Sequence, residues 1–250
     1  MSAVPRNPAV VIPSRLAATR LPRKPLAEIA GEAMIVHVWR RAEAAEIGPV
    51  IVACADAEIA EVVTRAGGNA VMTNPDHASG SDRVHEAIEL IDPGRQFDAV
   101  INIQGDLPTL ALELPRATVN LLADGRYNIA TIACPIADEW ERNDANVVKA
   151  IVSVPPGEDH GRALYFTRAT APAGDGPLFH HIGIYAYRRD ALARFVGLPP
   201  APLERRERLE QLRALEAGMV IGVGFVDTVP LGVDTPAELR RAREWIEGGK

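Results

Sequence analysis

The chain of 250 residues has few cysteines, few aromatic side chains and no long apolar run. Its two cysteines, Cys54 and Cys134, lie within apolar segments, which is typical of small core residues in a reducing compartment and not of a disulfide framework or a metal site. No stretch approaches the roughly 18 apolar residues that a membrane-spanning helix needs. The proline-containing N-terminus also lacks the features of a cleavable signal sequence. These absences predict a soluble, cytoplasmic protein without membrane insertion.

An excess of positive charge is also missing, because 27 lysine and arginine residues are outnumbered by 33 acidic residues and the net charge is -6. This balance disfavours nucleic acid and anionic lipid as partners. The chain contains neither a G-x-G-x-x-G nor a P-loop fingerprint, and neither an H-E-x-x-H zinc motif nor a G-x-S-x-G elbow. The sequence therefore disfavours a dinucleotide-binding fold, a P-loop enzyme, a zinc enzyme of that type and a serine hydrolase.

Short β-branched runs alternate with helical periods in the first 134 residues. This pattern predicts strands over 9–13, 50–54, 69–72, 98–103 and 128–134, with helices over 33–46, 56–66, 82–91 and 111–123. Strands that are apolar throughout are covered on both faces, so we predict an α/β fold with a mostly parallel, doubly wound central sheet. After residue 140 the predicted strands are 147–153, 163–168, 181–187 and 219–226, with helices over 202–217 and 235–247. The second pattern predicts a smaller, partly antiparallel lobe.

A cluster of cations follows the first predicted strand. Residues 13–26, PSRLAATRLPRKPL, carry Arg15, Arg20, Arg23 and Lys24 and no acidic residue. Ligands of open parallel sheets bind beyond the carboxyl ends of the strands, so these cations lie where an anion would bind. Arginine grips phosphate oxygens through its fork, and lysine neutralises them as a point charge. The alternative is a solvated basic loop.

The segment after the third predicted strand combines a glycine with a helix start. Ser79 and Gly80 precede a helical period whose first residue we predict near Ser81 or Asp82. The free N–H groups of a helix N-terminus favour phosphate, and glycine permits close backbone approach. The alternative is an ordinary cap, in which Ser81 or Asp82 bonds to the first turn.

Two aspartates are candidates for binding a divalent cation. Asp106 follows the strand over 98–103, in the segment NIQGDLP, and so belongs at the carboxyl edge of the sheet. Asp234 precedes Thr235–Glu238, which matches a capping box with proline at the first helical position. One or two carboxylates, completed by substrate oxygens and water, typically hold Mg²⁺. The alternatives are a turn aspartate at position 106 and a capping role for Asp234.

Seven segments in family order resemble one enzyme family across nearly the whole chain. They are VVIPSRLAATRLPRKPL, NPDHASGSDR, INIQGDLP, ALYFTRA, HHIGIYAYRRD, PLERRERLEQLR and PLGVDTPAEL. The resemblance is to the 3-deoxy-manno-octulosonate cytidylyltransferases, or CMP-Kdo synthetases. It implies a Rossmann-like nucleotide-diphospho-sugar transferase fold, a homodimer, and the conversion of CTP and 3-deoxy-manno-octulosonate (Kdo) to CMP-Kdo and pyrophosphate for lipopolysaccharide synthesis.

The resemblance also implies roles for individual residues. Those implied for the nucleotide site are Arg15, Arg20, Lys24, Ser79, Gly80, Arg83, Gln104 and Asp106. Those implied for the sugar pocket are Arg83, Gln104, Arg168, His181, Tyr185, Glu210 and Gln211, with His181 placed at the head of its predicted strand. The implied catalytic residues are Arg20, Lys24, Asp106 and Asp234, of which the two aspartates would hold Mg²⁺.

The implied organisation is a single nucleotidyltransferase domain over residues 1–250. Within it we predict a nucleotide-binding half (1–140), a sugar-binding and dimerisation lobe (141–234) and a C-terminal helix (235–250). The hypothesis for the reaction is one in-line displacement, in which the anomeric hydroxyl of the sugar attacks the α-phosphorus and pyrophosphate leaves. Such chemistry depends on positioning and charge neutralisation, and no dedicated general base is evident.

Two positions depart from the family pattern. Ala18 stands where the family usually has serine, and Leu107 stands where it usually has glutamate. The alternatives are a cytidylyltransferase for a related acidic sugar, such as 8-amino-Kdo or a sialic acid, and a catalytically silent nucleotide-binding homologue.

Overall fold

The structure is a computed structural model that describes residues 4–17 and 20–248. The chain divides into two compact units. The N-terminal unit comprises Asn7–Arg116 and Pro230–Lys250, and the middle unit comprises Ala117–Val229 together with Met1–Arg6. The single-domain description and the sequence-based boundary at residue 140 stay predictions.

The order of helices and strands follows the predicted alternation closely. The first half contains β1 (Pro8–Ser14), β2 (Glu28–Ile29), β3 (Glu32–Ala33), α1 (Met34–Ala44), β4 (Val50–Cys54), α2 (Ala57–Arg65), β5 (Asn69–Met72), α3 (Gly80–Ile91), β6 (Ala99–Asn102) and α4 (Glu113–Asn120). The second half contains β7 (Ile129–Pro135), α5 (Glu139–Asn143), β8 (Lys149–Ser153), β9 (His160–Thr167), β10 (Phe179–Arg188), α6 (Arg189–Val196), α7 (Pro202–Glu207), α8 (Gln211–Glu216), β11 (Ile221–Phe225) and α9 (Pro236–Glu247).

The sheet of the N-terminal unit is parallel and has β1 in its interior. Its strands lie in the order β5-β4-β1-β6, and each neighbouring pair runs in the same direction. Ala9–Ile12 of β1 are fully buried, as expected for a strand covered on both faces. The predicted mostly parallel sheet is confirmed. Because β4 and β6 flank β1 on opposite sides, strand order reverses at β1, and the carboxyl ends of β1 and β6 form the type of crevice in which such sheets bind ligands.

The middle unit carries the mixed sheet that the sequence predicts. β7 pairs with β10 in antiparallel and with β11 in parallel orientation. β9 pairs in antiparallel orientation with both β11 and β8. The partly antiparallel lobe is therefore confirmed.

The single helix predicted over 202–217 is wrong. The chain forms α7 and α8 instead, and they are separated at Arg208, whose φ of 57° is left-handed. Across the break, the guanidinium of Arg213 donates to both carboxylate oxygens of Glu204 at 2.5 and 2.9 Å. In one continuous helix these residues would lie about 13 Å apart along the axis and on opposite faces. Helix α6, which begins directly at the end of β10, is not predicted from the sequence at all.

The loop between β5 and α3 is bound to α3 by two charged side chains. Arg83 donates to the Thr73 hydroxyl at 2.6 Å and to the Asn74 carbonyl at 3.0 Å. One turn further along, the carboxylate of Glu86 accepts from the Asn74 N–H at 2.8 Å. Arg83 is only 2% exposed, so these acceptors replace water around its charge. These bonds fix the loop that leads to Ser79 and Gly80, the candidate phosphate-binding residues at the start of α3.

Both cysteines are buried, as predicted. Burial raises the pKa of the Cys54 thiol to about 12. Within residues 4–17 and 20–248, no helix combines the length and the apolar character that crossing a bilayer requires.

Gly48 is predicted to be essential for the approach of β4 to β1. A Cβ atom at Gly48 would lie 2.0 Å from the carbonyl oxygen of Pro8, which is backbone and cannot rotate away. We expect Gly48→Ala to lower the free energy of unfolding by roughly 1–3 kcal/mol, as overpacking does, in urea denaturation. The control is Gly94→Ala, whose Cβ would meet only the Gln96 side chain at ordinary contact distances. Equal stability of the two variants would contradict this close approach.

Replacement of Arg83 is predicted to destabilise the fold. Arg83→Met would leave the Thr73 hydroxyl and the Asn74 carbonyl without their donor, and we expect a loss of roughly 2–3 kcal/mol in the free energy of unfolding. The exposed Arg65→Met variant on α2 is the matched control and should unfold like the wild type. Wild-type stability of Arg83→Met would mean that the buried guanidinium has no structural role.

Candidate active site

A cavity of about 410 Å³ lies at the carboxyl ends of β1 and β6. Its lining comes from the segments that follow these two strands, from the N-terminus of α3 and from the segment that precedes α9. The lining residues include Ser14, Arg15, Arg20, Lys24, His77, Ser79, Gly80, Arg83, Gln104, Asp106 and Asp234. All of them belong to the N-terminal unit. Every residue assigned to the nucleotide site by resemblance, together with Asp234, thus lies at one cavity.

Lys24 connects the two aspartates. Its Nζ donates to Asp106 Oδ2 at 2.7 Å and to Asp234 Oδ1 at 2.8 Å. The side chains of Lys24 and Asp106 are 17% and 28% exposed, and that of Asp234 is 44% exposed. Three ionisable groups from distant parts of the sequence therefore meet at the carboxyl edge of the sheet, where all three were predicted.

The other cations of the loop that follows β1 have different partners. Arg20 donates to Asp234 Oδ2 at 2.8 Å, which gives Asp234 a second cationic partner. Arg23 turns away from the aspartates and forms an ion pair with Glu58. Arg15 is exposed at the cavity wall. Ala18, one of the two departures from the family pattern, lies outside the described residues.

Asp234 is available for this contact because Thr235 caps the helix. The Thr235 hydroxyl accepts from the Glu238 N–H, and Glu238 in turn accepts from the N–H groups of Thr235 and Asp234, both at 2.8 Å. The predicted capping box is confirmed, and the alternative in which Asp234 is the cap is wrong. Below it, buried Val233 and Leu239 belong to an apolar cluster that includes Met34 of α1.

The charges of the cluster stabilise one another. Burial disfavours the ammonium of Lys24, but its contacts with Asp106 and Asp234 outweigh this effect and raise its pKa. Burial likewise opposes ionisation of Asp234, and here Lys24 and Arg20 prevail and lower the pKa of the carboxyl group. Lys24 and Asp234 are therefore both charged at neutral pH.

The N-terminus of α3 begins one to two residues earlier than predicted. Ser79 is the cap, its hydroxyl accepts from the Asp82 N–H, and Asp82 completes a capping box. The alternative in which Ser81 or Asp82 is the cap is therefore wrong. Gly80 lies beside Pro13 of β1, because a Cβ at Gly80 would be 3.4 Å from the Pro13 ring, and both residues line the cavity. Because glycine has no side chain, a ligand can approach the backbone at Gly80 closely.

Arg83 and Gln104 are held by protein groups at the cavity wall. The guanidinium of Arg83 bonds to the loop before α3, and burial together with the charge of nearby Arg15 lowers its pKa. Gln104 donates to Asn102 Oδ1 at 3.3 Å. Leu107 is 8% exposed and lies in the core, so the departure from the family pattern at this position adds an apolar contact there.

Two residues with polar side chains that line the cavity, Ser14 and His77, were not assigned a role from the sequence. Ser14 ends β1, and its buried hydroxyl has no hydrogen-bond partner among the described residues. His77 Nε2 is 2.5 Å from a carboxylate oxygen of Glu86, which orients the imidazole at the cavity wall. The sequence signal for Ser14 was its place as the last residue of a buried strand. His77 depends on a partner nine residues away on a helix face, which sequence alone does not show.

The residues assigned to the sugar pocket, apart from Arg83 and Gln104, belong to the middle unit. The sequence predicts His181 at the start of its strand. The structure places it as the third residue of β10. Its ring centroid lies 5.5 Å from that of Tyr185, and burial lowers its pKa to about 3. Burial, with Tyr187 and Glu210 nearby, raises the pKa of Tyr185 well above its ordinary value. His181, Tyr185 and Glu210 therefore share one neighbourhood, in which the histidine is neutral.

Arg168 and Gln211 belong to the same unit. The guanidinium of Arg168 donates to the backbone carbonyls of Glu207 and Ala145, each at 3.0 Å. Gln211 is 7% exposed and begins α8. Their roles in sugar binding stay predictions.

Asp106 and Asp234 suit a hard divalent cation. One oxygen of each lies within 2.8 Å of the same lysine nitrogen, so the two oxygens are no further apart than the sum of those contacts. Carboxylate oxygens at a partly exposed position are what Mg²⁺ prefers, with the remaining ligands from water and phosphate. The donor set therefore fits the metal that the sequence predicts.

A second group of potential metal ligands is paired with an arginine side chain. Ligand atoms of Asp124, Glu158 and His160 lie within 4.8 Å of one another. The guanidinium of Arg126 donates to Asp124 at 2.5 Å and to Glu158 at 2.8 Å. We interpret this group as an ion-pair network in the middle unit.

The chain matches known proteins along most of its length. A cytidylyltransferase family model matches residues 9–221. A 3-deoxy-manno-octulosonate cytidylyltransferase from Rhodospirillum centenum is 64% identical over 99% of this chain and 96% of its own. One from Paramagnetospirillum magneticum is 60% identical over 96% of this chain and 98% of its own.

Solved structures agree with these matches. CMP:2-keto-3-deoxy-manno-octonic acid synthetase complexed with CTP superposes with a TM-score of 0.88 at 35% identity, covering 98% of this chain and 100% of the other. A cytidylyltransferase from Leptospira borgpetersenii shares the fold alone, with a TM-score of 0.63 at 14% identity over 98% and 88% of the two chains. The chain belongs to the cytidylyltransferase family and, within it, to the 3-deoxy-manno-octulosonate cytidylyltransferases.

Proposed function

We propose that the chain joins CTP to 3-deoxy-manno-octulosonate and releases pyrophosphate, giving CMP-Kdo for lipopolysaccharide synthesis. The observation that carries this proposal is the meeting of Lys24, Asp106 and Asp234 at the cavity beyond β1 and β6. A triphosphate needs cations for its oxygens, and a metal that bridges to it needs carboxylates. Both kinds of group lie at this one cavity.

Arg20 and Lys24 neutralise the charge that builds up on the leaving pyrophosphate. Both carry donors at the cavity wall, and the family to which the chain belongs uses CTP. Ser79 and Gly80 offer the start of α3, whose positive partial charge favours phosphate. Ser14 supplies a cavity-lining hydroxyl that no other group of the described chain engages. Positioning and electrostatic neutralisation by these groups account for the type of catalysis that phosphoryl transfer requires.

Asp106 and Asp234 hold Mg²⁺ in this proposal. When bound there, the ion would polarise the phosphate oxygens and offset their charge. The two carboxylates come from the loop after β6 and from the segment before the Thr235 cap of α9, and the backbone N–H of Val233 donates to the Asp106 carbonyl at 3.0 Å. This bond ties the two metal-binding segments together and keeps their carboxylates at a fixed separation.

The acceptor is an acidic sugar whose hydroxyl attacks the α-phosphorus. His181, with its pKa lowered to about 3, is neutral, and its Nε2 lies 3.0 Å from the buried Thr131 hydroxyl, which leaves Nδ1 for a ligand. It suits a sugar hydroxyl better than a carboxylate. The choice among Kdo, 8-amino-Kdo and a sialic acid depends on one or two such contacts.

We also propose that the enzyme acts in the cytoplasm as a homodimer. Two buried thiols without a disulfide suit a reducing compartment. The homodimer follows from the family resemblance, and sedimentation at enzyme concentrations used in assays would test it.

Asp106→Asn is predicted to lower turnover. The change removes the charge that holds the metal and keeps the shape of the side chain, so we expect kcat for pyrophosphate release to fall by on the order of 100-fold or more. The readout is pyrophosphate from CTP and Kdo in Mg²⁺, with each substrate omitted in turn and with thermal unfolding as the fold control. Asp175→Asn, in an exposed loop, should keep wild-type turnover.

Near-normal turnover of Asp106→Asn would remove this residue from the metal site. Pyrophosphate release that needs CTP but is faster with 8-amino-Kdo or a sialic acid than with Kdo would change the acceptor and leave the reaction class in place. CTP binding without any pyrophosphate release would overturn the proposed activity.

A further inference from the structure

Lys24 is bound to both carboxylates that the proposed function gives to the metal. Its Nζ lies 2.7 Å from Asp106 and 2.8 Å from Asp234, and its side chain is 17% exposed. A buried Pro25 follows it in the short 3₁₀ turn Lys24–Leu26, which fixes the backbone from which the side chain reaches the aspartates. The ammonium group of Lys24 therefore has a defined position between the carboxylates of Asp106 and Asp234.

A divalent cation cannot join this arrangement without cost. A metal bound to both aspartates would sit close to an ammonium of the same sign, and at such distances the repulsion between like charges is strong even at a partly exposed site. Arg20, also bound to Asp234, adds to this repulsion. The positive charge has to move before the carboxylates accept a metal.

We infer that Lys24 competes with a divalent cation for Asp106 and Asp234, and that a bound triphosphate relieves this competition by drawing Lys24 onto its own oxygens. This inference rests on the proposed placement of the metal. It gives Lys24 a control over metal binding at the two carboxylates, in addition to its role toward the nucleotide.

Coupled binding follows from this exchange of partners. Lys24 and Arg20 line the same cavity as Ser79 and Gly80, so phosphate oxygens bound near α3 give both cations a new anionic partner. The aspartates then retain their charge and lose their internal cation. By thermodynamic reciprocity, the factor by which bound triphosphate raises the affinity for the metal equals the factor by which bound metal raises the affinity for the triphosphate. Metal and nucleotide therefore bind more tightly together than separately.

The test measures Mn²⁺ binding by electron paramagnetic resonance, first without nucleotide. Lys24→Met removes the competing charge and keeps a side chain of similar length. We expect its affinity for Mn²⁺ to be about tenfold higher than that of the wild type, as loss of one nearby like charge predicts. A merely structural role of Lys24 would give the opposite result, because loosened carboxylates bind metal more weakly.

Two further variants make the experiment specific. Arg20→Met removes a more exposed cation that touches Asp234 alone, so we expect a smaller rise in Mn²⁺ affinity. Arg23→Met is the matched control, since it removes the same charge from the same loop but from a residue paired with Glu58, and it should bind Mn²⁺ like the wild type. Circular dichroism and thermal unfolding confirm that each variant is folded.

The second part adds CTP, with the Mn²⁺–CTP complex in solution measured separately. We expect CTP to raise the Mn²⁺ affinity of the wild type more than that of Lys24→Met. Unchanged or weaker Mn²⁺ binding by Lys24→Met overturns the inference while leaving the proposed reaction intact. Absence of Mn²⁺ binding to the wild type with and without CTP overturns the metal placement and the inference with it. Higher Mn²⁺ affinity in Lys24→Met together with no pyrophosphate release by the wild type supports the competition and counts against the proposed activity alone.

Discussion

One ammonium shared by two carboxylates is the contact on which the site depends. Lys24 is 82 residues from Asp106 and 210 residues from Asp234 in sequence, yet it bonds to both. No local preference of the chain could bring these groups together. The contact exists because the sheet places the ends of β1 and β6 side by side and because α9 packs against the same unit.

Parallel topology and an apolar cluster each supply part of this convergence. The register of β1 with β6 fixes the height of Asp106 relative to the loop that carries Lys24. The cluster of Ile29, Met34, Val233, Leu239 and Ala242 fixes the start of α9 next to that loop. Burial of these side chains stabilises the fold and positions the chemistry at the same time, so mutations in this cluster would affect both.

The groups that follow a strand or precede a helix were predictable from sequence. Asp106 comes directly after a buried strand, and the Thr235 capping box leaves Asp234 free. In both cases a local rule and the geometry of parallel sheets were sufficient. The family resemblance added the roles, and the curated relatives confirm the family itself.

Other features depend on contacts that a single sequence does not show. The break at Arg208 is accompanied by the ion pair of Glu204 and Arg213, which a helical pattern cannot reveal. Arg83 bonds to the loop before its helix because packing buries it, although its sequence position equally suited a ligand. Long-range packing, and not propensity, decided each of these cases.

The cap of α9 has a consequence for proton balance. Asp234 stands at the positive end of the helix, its own N–H is bound by Glu238, and its pKa is lowered. The group is therefore ionised before any ligand arrives, and Lys24 stays protonated after it leaves the aspartates because the ordinary pKa of lysine, about 10.4, lies far above neutrality. When a metal ion replaces Lys24 at Asp234, no proton is taken up or released there. The equilibrium of this exchange is therefore independent of pH near neutrality.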